Sequence, residues 1–586
     1  MNTFAYLLLR AIKNNTMDAT IIASAEAWTS EHFDEQTRSA AFELIQRGGD
    51  ELADAFYKDL EFGTGGMRGI MGVGTNRMNK YTIGQATQGL ANYLNKEIKG
   101  EQIKVAIAYD CRHNSDSFAE LVGNVLSANG IEVFVYESLR PTPQLSFTVR
   151  ELNCHAGIVL TASHNPPEYN GYKVYWGDGA QIVPPHDAAI IENVRQVAVS
   201  NILFEGDDDL IHTIGQEMDD KFQNACVAQG FSNEGKDDLT VVFTSLHGTS
   251  IKSIPHVLDK AGFKKVHIVE EQAEPNGDFP TVASPNPEEP EALKLAIELA
   301  EKTNADILIG TDPDADRIGI GVRDLNNEII LLNGNQTAAV MTWYLIQQWK
   351  AQGKLNGKQY IAETIVTTDL LKDIADGEGI PTYFCLTGFK WIANIIRELD
   401  GKEEFIGGGE ESFGYMVGDF VRDKDSVSSA MLCCEIAAWA NANGKSFYQL
   451  LLEIYQEFGF YKERLISIKK GGMSGAEEIA NMMSSFRKET PKQVGGTAVV
   501  ATSDFDSSIR VNTTTGTEEA IDMPKSNVFQ IHLADGSKIT ARPSGTEPKI
   551  KFYISVNKPL DQLTHAARVE SELEKYIDQI IEDLNI

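Results

Sequence analysis

Cysteine is scarce in this chain. Six residues (Cys111, Cys154, Cys226, Cys385 and the adjacent Cys433 and Cys434) are scattered through 586. No C-x-x-C occurs, and a vicinal pair is a poor disulfide or zinc-ligand geometry, so reduced thiols in a cytoplasmic protein are the plain expectation. H-E-x-x-H is absent, which removes zinc-hydrolase chemistry, and no Walker A sequence exists to hold a nucleotide. Long apolar runs are missing too. Phe4–Leu9 is closed at once by Arg10 and lacks a preceding basic region, too short for a signal core or a membrane span. Basic residues are outnumbered, 52 against 84 acidic, for a formal charge of −32. Such a surface repels nucleic acid and anionic membranes, so neither is an expected partner. An anionic small molecule would have to be met by locally gathered lysine, arginine and metal.

What is present is ordinary globular material, 42% hydrophobic and 23% charged. At this length several domains of roughly 100–200 residues are expected. The first stretch, to about Lys58, carries helical apolar spacing. A glycine-rich turn, Phe62-Gly63-Thr64-Gly65-Gly66-Met67-Arg68-Gly69, follows, and then short apolar strands alternate with helical segments, as in α/β units. Three strands run directly into polar loops. Gly157–Leu160 leads into Thr161-Ala162-Ser163-His164-Asn165-Pro166, Ala305–Gly310 into Thr311-Asp312-Pro313-Asp314-Ala315-Asp316-Arg317, and Glu404–Ile406 into Gly407–Gly414. Ligands bind at the carboxyl ends of strands in open α/β sheets. The alternation reads as α/β units with parallel strands, and the expected fold is three related α/β domains with mixed sheets, each lending a wall to a central cleft. After a connection around Lys469–Gly475, a hairpin about Asp535-Gly536 and a strand from Lys549 to Val556 read as a smaller C-terminal α+β domain. A closing helix follows, with Leu573, Ile577, Ile580 and Leu584 at helical spacing. The expected boundaries are 1–215, 216–335, 336–465 and 466–586.

Each polar loop has a bland reading beside a chemical one. Ser163 and Asn165 could simply cap a turn. The hydrolase elbow fails around Ser163, because Thr161 and Asn165 stand where G-x-S-x-G needs glycine, and Pro166 removes an S-x-x-K pair. The nearby His164, Asn170 and Lys173 favour function. Asp312, Asp314 and Asp316 offer three hard oxygen ligands at alternate positions. An EF-hand is excluded, since Arg317 and Arg323 occupy its glycine and glutamate places. Carboxylates so close, between apolar strands, would repel one another without a cation, and Mg²⁺ or Ca²⁺ suits them. Gly407–Gly414 reads as a mobile loop in which Glu410 and Ser412 could hold sugar hydroxyls. Arg542, Ser544, Gly545 and Thr546, with Lys549 and Lys551 near, have the chemistry of a phosphate cradle.

Together these loops resemble the α-D-phosphohexomutase superfamily: T-A-S-H-N-P, D-P-D-A-D-R, G-E-E-S-F-G and R-P-S-G-T-E-P stand in that family's order across almost the whole chain. F-G-T-G-G-M-R-G, T-G-F-K-W (Thr387–Trp391) and V-R-D-K-D (Val421–Asp425) look most like the longer phosphoglucomutase branch, which also holds phosphopentomutases and sugar-bisphosphate synthases. The resemblance implies that Ser163 carries a phosphoryl group and that Mg²⁺ is bound by Ser163, Asp312, Asp314 and Asp316. His164, Lys173, Arg317 and Lys390 would act at the reacting group. Arg68, Arg112, Thr387, Gly388, Glu410, Ser412, Lys424, Arg542, Ser544, Gly545 and Thr546 would bind substrate. Bacterial phosphomannomutase relatives read G-E-M-S-G-H; here Gly414 takes the histidine's place, which leaves Lys390 and Lys424 as candidates for the base.

The implied reaction interconverts glucose 1-phosphate and glucose 6-phosphate, with glucose 1,6-bisphosphate as intermediate and activator. Mannose and pentose phosphates are alternative substrates. A metal-dependent phosphosugar phosphatase and a non-catalytic sugar-phosphate sensor are the rival classes. A monomer or homodimer, cytoplasmic, with a natural start at Met17, completes the expectation.

Overall fold

The computed structural model describes residues 18–63, 65–470, 472–544 and 549–586. The expected start at Met17 and two cradle residues, Gly545 and Thr546, lie outside the described residues. The chain divides into two compact units. One runs to Gly321 and takes back Met416–Glu435; the other comprises Val322–Tyr415 and Ile436–Ile586.

The first unit opens with helices at Ala19–Ala27, Glu35–Arg47 and Gly49–Phe56. Trp28, Phe33, Phe56 and Tyr81 bury their rings together beneath them. Six strands follow: β1 (Gly66–Ile70), β2 (Lys104–Tyr109), β3 (Glu132–Tyr136), β4 (Ala156–Leu160), β5 (Tyr169–Trp176) and β6 (Ile211–Ile214). Their sheet has the order β1-β5-β4-β2-β3-β6. β2 lies parallel to β3 and β4, β3 is parallel to β6, and β5 is antiparallel to β4 and β1, so the sheet is mixed. Every residue of β4 is buried, which is why its sequence is an apolar run rather than an alternation. A Cβ at Gly157 would come within 2.5 Å of Val149, so this glycine lets the helix Thr142–Glu151 close on the strand.

A second sheet carries β10 (Ile318–Arg323), β9 (Ile307–Thr311), β7 (Thr240–Thr244) and β8 (Lys265–Ile268) in that order, with β7 parallel to both β8 and β9. β9, like β4, is wholly buried. The Ser163 and Asp312 loops thus both leave the carboxyl ends of buried strands.

In the second unit, β11 (Ile329–Leu332) precedes the helix Gly334–Ala351, whose first turn is closed by a capping box between Asn333 and Gln336. A sheet then follows with the order β13 (Thr382–Cys385), β12 (Gln359–Thr364), β14 (Glu404–Glu410), β15 (Gly414–Val417). The expected mobile loop at Gly407–Gly414 is corrected here: its first half is strand β14, its last residue opens β15, and Gly407–Glu410 are buried. A Cβ at Gly408 would lie 2.0 Å from the Ala362 carbonyl oxygen on β12, so the glycines serve close strand approach, and the loop shrinks to Glu411–Phe413.

The C-terminal sheet is built from β16 (Phe460–Lys469), β17 (Gln493–Val494), β18 (Thr497–Asp504), β19 (Ile509–Asn512), β20 (Glu518–Ala520), β21 (Phe529–Leu533), β22 (Lys538–Pro543) and β23 (Lys549–Lys558). It runs β16-β23-β22-β21-β18-β19-β20, with β17 paired to β18, and each of these pairings is antiparallel. The connection expected at Lys469–Gly475 is much shorter. β16 continues through Lys469, and a helix occupies Gly472–Lys488 because Ile479 and Met483, one turn apart, have a core to enter. Three α/β layers with mixed sheets and a β-rich final domain are therefore the architecture. Among the described residues no helix is long and apolar enough to cross a membrane.

Candidate active site

Ser163 stands three residues beyond β4 with φ 51°, a left-handed backbone that a non-glycine residue adopts only when its surroundings hold it there. They do. Its N–H donates to Thr161 Oγ1 at 2.8 Å, and the carbonyls of the loop are collected by one guanidinium. Arg112 donates to the backbone oxygens of Ser163 (2.6 Å), Pro166 (2.7 Å) and Tyr169 (3.0 Å), and to that of Asn165. The Arg112 side chain is fully buried, lies 3.3 Å from Asp110 and sits over the Phe279 ring. The residue expected to touch substrate is thus engaged in shaping the serine loop. Arg68, exposed on β1, reaches the same loop through Asn165 Oδ1 at 3.0 Å.

The turn aims Ser163 Oγ at the second loop. It donates to Asp312 Oδ2 at 2.6 Å, and His164 Nδ1 is 3.2 Å away. Burial, then Arg317 and Arg68, push the His164 pKa well below the usual histidine range, so the ring is neutral at physiological pH.

The acidic loop is held as firmly. Asp312 Oδ1 accepts the backbone N–H groups of Asp316 and Arg317 at 3.1 and 3.0 Å. The Pro313 carbonyl accepts from Thr249 N and Oγ1, and a Cβ at Gly248 would lie 2.5 Å from Pro313 Cα. Ala315, at φ 57°, has its carbonyl bonded to Ser426 Oγ at 2.6 Å. Asp314 Oδ2 accepts from Thr142 Oγ1 (2.8 Å) and Lys173 Nζ (2.7 Å). Asp316 Oδ2 lies 3.1 Å from Lys173 Nζ and 2.9 Å from Lys424 Nζ. Arg317 pairs with Glu288.

Two of the three buried carboxylates, Asp312 and Asp316, carry opposed protonation tendencies. Burial, then Asp314 and Asp316, drive Asp312 well above the carboxylate range. Burial also opposes ionisation of Asp316, but Lys173, Lys424 and Arg317 outweigh it and pull its pKa down. The charges are only partly answered by protein. Among the described residues Asp314 Oδ1 and Asp316 Oδ1 have no hydrogen-bond partner though buried, and one oxygen from each of the three aspartates lies within 4.8 Å of the others. Hard oxygen donors gathered so, with orphaned lone pairs, fit a small divalent cation such as Mg²⁺.

In the second unit, Gly388 (φ 115°) opens the helix Phe389–Leu399 and gives its N–H to Glu410 Oε1 at 2.8 Å, which brings the T-G-F-K and G-E-E-S segments together. Thr387 Oγ1 and Glu411 Oε2 are buried there and have no hydrogen-bond partner among the described residues. Lys390 Nζ lies over the Trp391 ring, and Ser412 is half-buried in the short loop. Arg542 faces Lys551 across the β22–β23 register, and the Ser544 N–H donates to the Lys549 carbonyl at 2.7 Å.

Thr142, Glu288, Tyr175 and Asp423 were not among the residues expected at the site. Asp423 lies inside V-R-D-K-D, and Tyr175 is two residues beyond Lys173 on the same strand. Both signals were therefore in the sequence. Thr142 and Glu288 carried none.

Three family models match the chain: phosphoglucomutase/phosphomannomutase alpha/beta/alpha domain I over residues 59–199, domain II over 220–325 and domain III over 333–458. A phosphoglucomutase of Staphylococcus epidermidis is 39% identical over 514 residues, covering 87% of this chain and 92% of its own. One from Staphylococcus aureus is 39% identical over 518 residues, covering 88% and 92%. Among solved structures, the Paramecium exocytosis-sensitive phosphoprotein parafusin, a phosphoglucomutase in its open form, superposes with a TM-score of 0.66 at 19% identity, over 90% of this chain and 96% of that one. A phosphoglucomutase/phosphomannomutase family protein from Burkholderia thailandensis gives 0.61 at 18% identity, over 89% and 97%. At such identities the structures attest the fold.

Proposed function

The chain belongs to the phosphoglucomutase/phosphomannomutase family, and from that premise we propose that it interconverts glucose 1-phosphate and glucose 6-phosphate by way of a phosphorylated Ser163 and glucose 1,6-bisphosphate. The observation that carries the reading is the convergence of the Ser163 hydroxyl, three buried aspartates, Lys173 and Arg317 within one compact unit.

Phosphoryl transfer asks a protein for positioning and charge neutralisation more than for covalent help. Asp312 orients the Ser163 hydroxyl, and Arg112 fixes the loop from which Oγ projects. Asp312, Asp314 and Asp316, with Ser163, would hold Mg²⁺, which supplies charge neutralisation at the phosphoryl oxygens. Lys173 and Arg317 add fixed positive charge, and neutral His164 keeps a ring nitrogen near Oγ. In the forward half-reaction the phosphoryl group leaves Ser163 for a free sugar hydroxyl, giving the bisphosphate. In the second, the other phosphate of the bisphosphate passes to Ser163. The hydroxyl proton must go to a base; of the two expected candidates, Lys424 stands as an ammonium between Asp316 and Asp423 and would first have to give up its own proton, which leaves an unprotonated Lys390 as the reading. Glu410, Ser412, Thr387 and Gly388 would read sugar hydroxyls. Arg542, Ser544, Gly545 and Thr546 would grip the phosphate that is not reacting, contributing binding energy to orientation, and Arg68, beside the Ser163 loop, would bind substrate there.

The same proposal covers the partition into four domains at 1–215, 216–335, 336–465 and 466–586, a cytoplasmic location, and a monomer or homodimer. Comparison of kcat/KM for glucose 1-phosphate, mannose 1-phosphate and ribose 1-phosphate on one preparation tests the substrate. Preference for either of the latter two would replace glucose in the reading. Release of inorganic phosphate at the rate of substrate loss would make the protein a phosphatase.

A further inference from the structure

A closed circuit runs through Asp316 by way of Lys173, the backbone of β5, Tyr175, Asp423 and Lys424, and two of its members have no part in the chemistry above. Lys173 and Tyr175 are two residues apart on β5 and so project from one face of the strand. Lys173 Nζ lies 3.1 Å from Asp316 Oδ2, while the Tyr175 hydroxyl donates to Asp423 Oδ2 at 2.6 Å. Asp423 Oδ1 accepts from the backbone N–H of Lys424 at 2.9 Å and from its Nζ at 3.3 Å. Lys424 Nζ then returns to Asp316 Oδ2 at 2.9 Å, and the circuit is complete. Tyr175 is wholly buried and Asp423 nearly so.

Two ammonium groups on one carboxylate oxygen repel each other, and a lysine has many rotamers by which to escape. Lys424 is kept on Asp316 by a second carboxylate, Asp423, and Asp423 is itself fixed by a buried phenol. The result at Asp316 is asymmetric: Oδ2 is doubly occupied, while Oδ1 has no hydrogen bond and lies 4.0 Å from Arg317 Nε.

We infer that Tyr175 and Asp423 are positioning residues that brace Lys424 against Asp316 Oδ2 and so turn Oδ1 toward the divalent cation. The inference rests on Asp316 being a metal ligand, as proposed above, but not on the identity of the sugar. Ligand-orienting groups outside the coordination sphere typically change metal affinity or activity by about 10–100-fold.

The test uses the full chain with Ser163 dephosphorylated. Mn²⁺ binding is followed by electron paramagnetic resonance for the wild type, Tyr175→Phe, Asp423→Asn and the double variant, and kcat and KM for glucose 1-phosphate are measured separately with glucose 1,6-bisphosphate present to phosphorylate Ser163. Each single variant is expected to weaken Mn²⁺ by about tenfold and to lower kcat at least as much, with KM within about twofold. The double variant should fall within about threefold of the worse single one, because both changes break the same brace. With Lys424→Ala already in place, Tyr175→Phe should change Mn²⁺ affinity no further. Unchanged Mn²⁺ affinity in Tyr175→Phe, multiplying effects in the double variant, or a persisting effect without Lys424 would each overturn the brace. Should Tyr175→Phe fail to fold, Asp423→Asn with and without Lys424→Ala decides between the same outcomes. A wild type that binds Mn²⁺ but turns over no sugar phosphate would sink the mutase reading and leave the brace standing.

Discussion

The Ser163 hydroxyl donates to Asp312 Oδ2 across 2.6 Å, joining two loops 149 residues apart in the chain. That single bond ties the group that would carry phosphate to the first of the carboxylates that would hold the metal. Both ends are immobilised independently, Ser163 through Arg112 and Asp312 through the backbone N–H groups of Asp316 and Arg317. Preorganisation of this kind lowers the reorganisation required at the moment of transfer.

The orphaned oxygens of Asp314 and Asp316 call for a cation. Removing divalent cations with a chelator should abolish turnover, and Mg²⁺ should restore it. Asp314→Asn and Asp316→Asn should each weaken Mn²⁺ binding by at least about tenfold. Calorimetric titration checks this without substrate, and wild-type affinity in both variants would remove the aspartates from the metal site.

Substitution of Arg112 separates loop architecture from substrate contact. Its guanidinium serves four carbonyls and Asp110, a geometry that a lysine ammonium cannot reproduce. Arg112→Lys should lower kcat about 100-fold with little change in KM, and should cost about 3 kcal/mol of stability because Asp110 loses its buried partner. A rise in KM alone, at unchanged unfolding midpoint, would return Arg112 to direct substrate binding.

Gly248 makes a further test of the acidic loop. The Cβ of Gly248→Ala would collide with the backbone of Pro313, at 2.5 Å from Cα and 2.7 Å from the carbonyl oxygen. Overpacking of this sort costs about 1–3 kcal/mol, and it should displace Asp312 and Asp314 together. Weakened Mn²⁺ binding in a folded protein is the expected result; a stable variant with unaltered metal affinity would show the loop to be tolerant.

Stability should depend on pH through Glu411. Burial, then Glu410, push its pKa up to about 7 from an ordinary value of 4.5. The folded chain therefore holds this proton where the unfolded chain has released it. The contribution is fully favourable below pH 4.5 and declines as pH rises toward 7, then levels. Denaturant midpoints for the wild type and Glu411→Gln should diverge across that window, the variant gaining by about 2–3 kcal/mol at the upper end. Parallel curves would show that Glu411 ionises normally.

Much of this was legible in the sequence, for identifiable reasons. β4 and β9 are buried on both faces, so their apolar runs marked the strand ends from which Ser163 and Asp312 project. The hairpin at Asp535-Gly536 and the final helix, Ala566–Leu584, follow local turn chemistry and helical spacing. The glycine run before Glu410 is ambiguous by sequence, because glycine signals a loop as readily as a close strand approach, and only the Ala362 carbonyl on a partner strand distinguishes them. Arg112 belongs to the site but makes a different kind of contact from the one expected, since a lone arginine in sequence says nothing about which carbonyls it will gather. Tyr175 and Asp423 each stand beside an expected residue, but their pairing spans 248 residues, and a local pattern marks the residues without marking the bond between them.

Ser163 is proposed to carry the phosphoryl group from one sugar position to the other. Intact-mass and peptide analysis after incubation with glucose 1,6-bisphosphate, followed by a chase with glucose 1-phosphate, tests this most directly. The expected result is one phosphoryl group on the peptide containing Ser163, its transfer to sugar during the chase, and at least about a thousandfold loss of turnover in Ser163→Ala. Turnover at wild-type rate in Ser163→Ala, or a phosphoryl group on another residue, would contradict it.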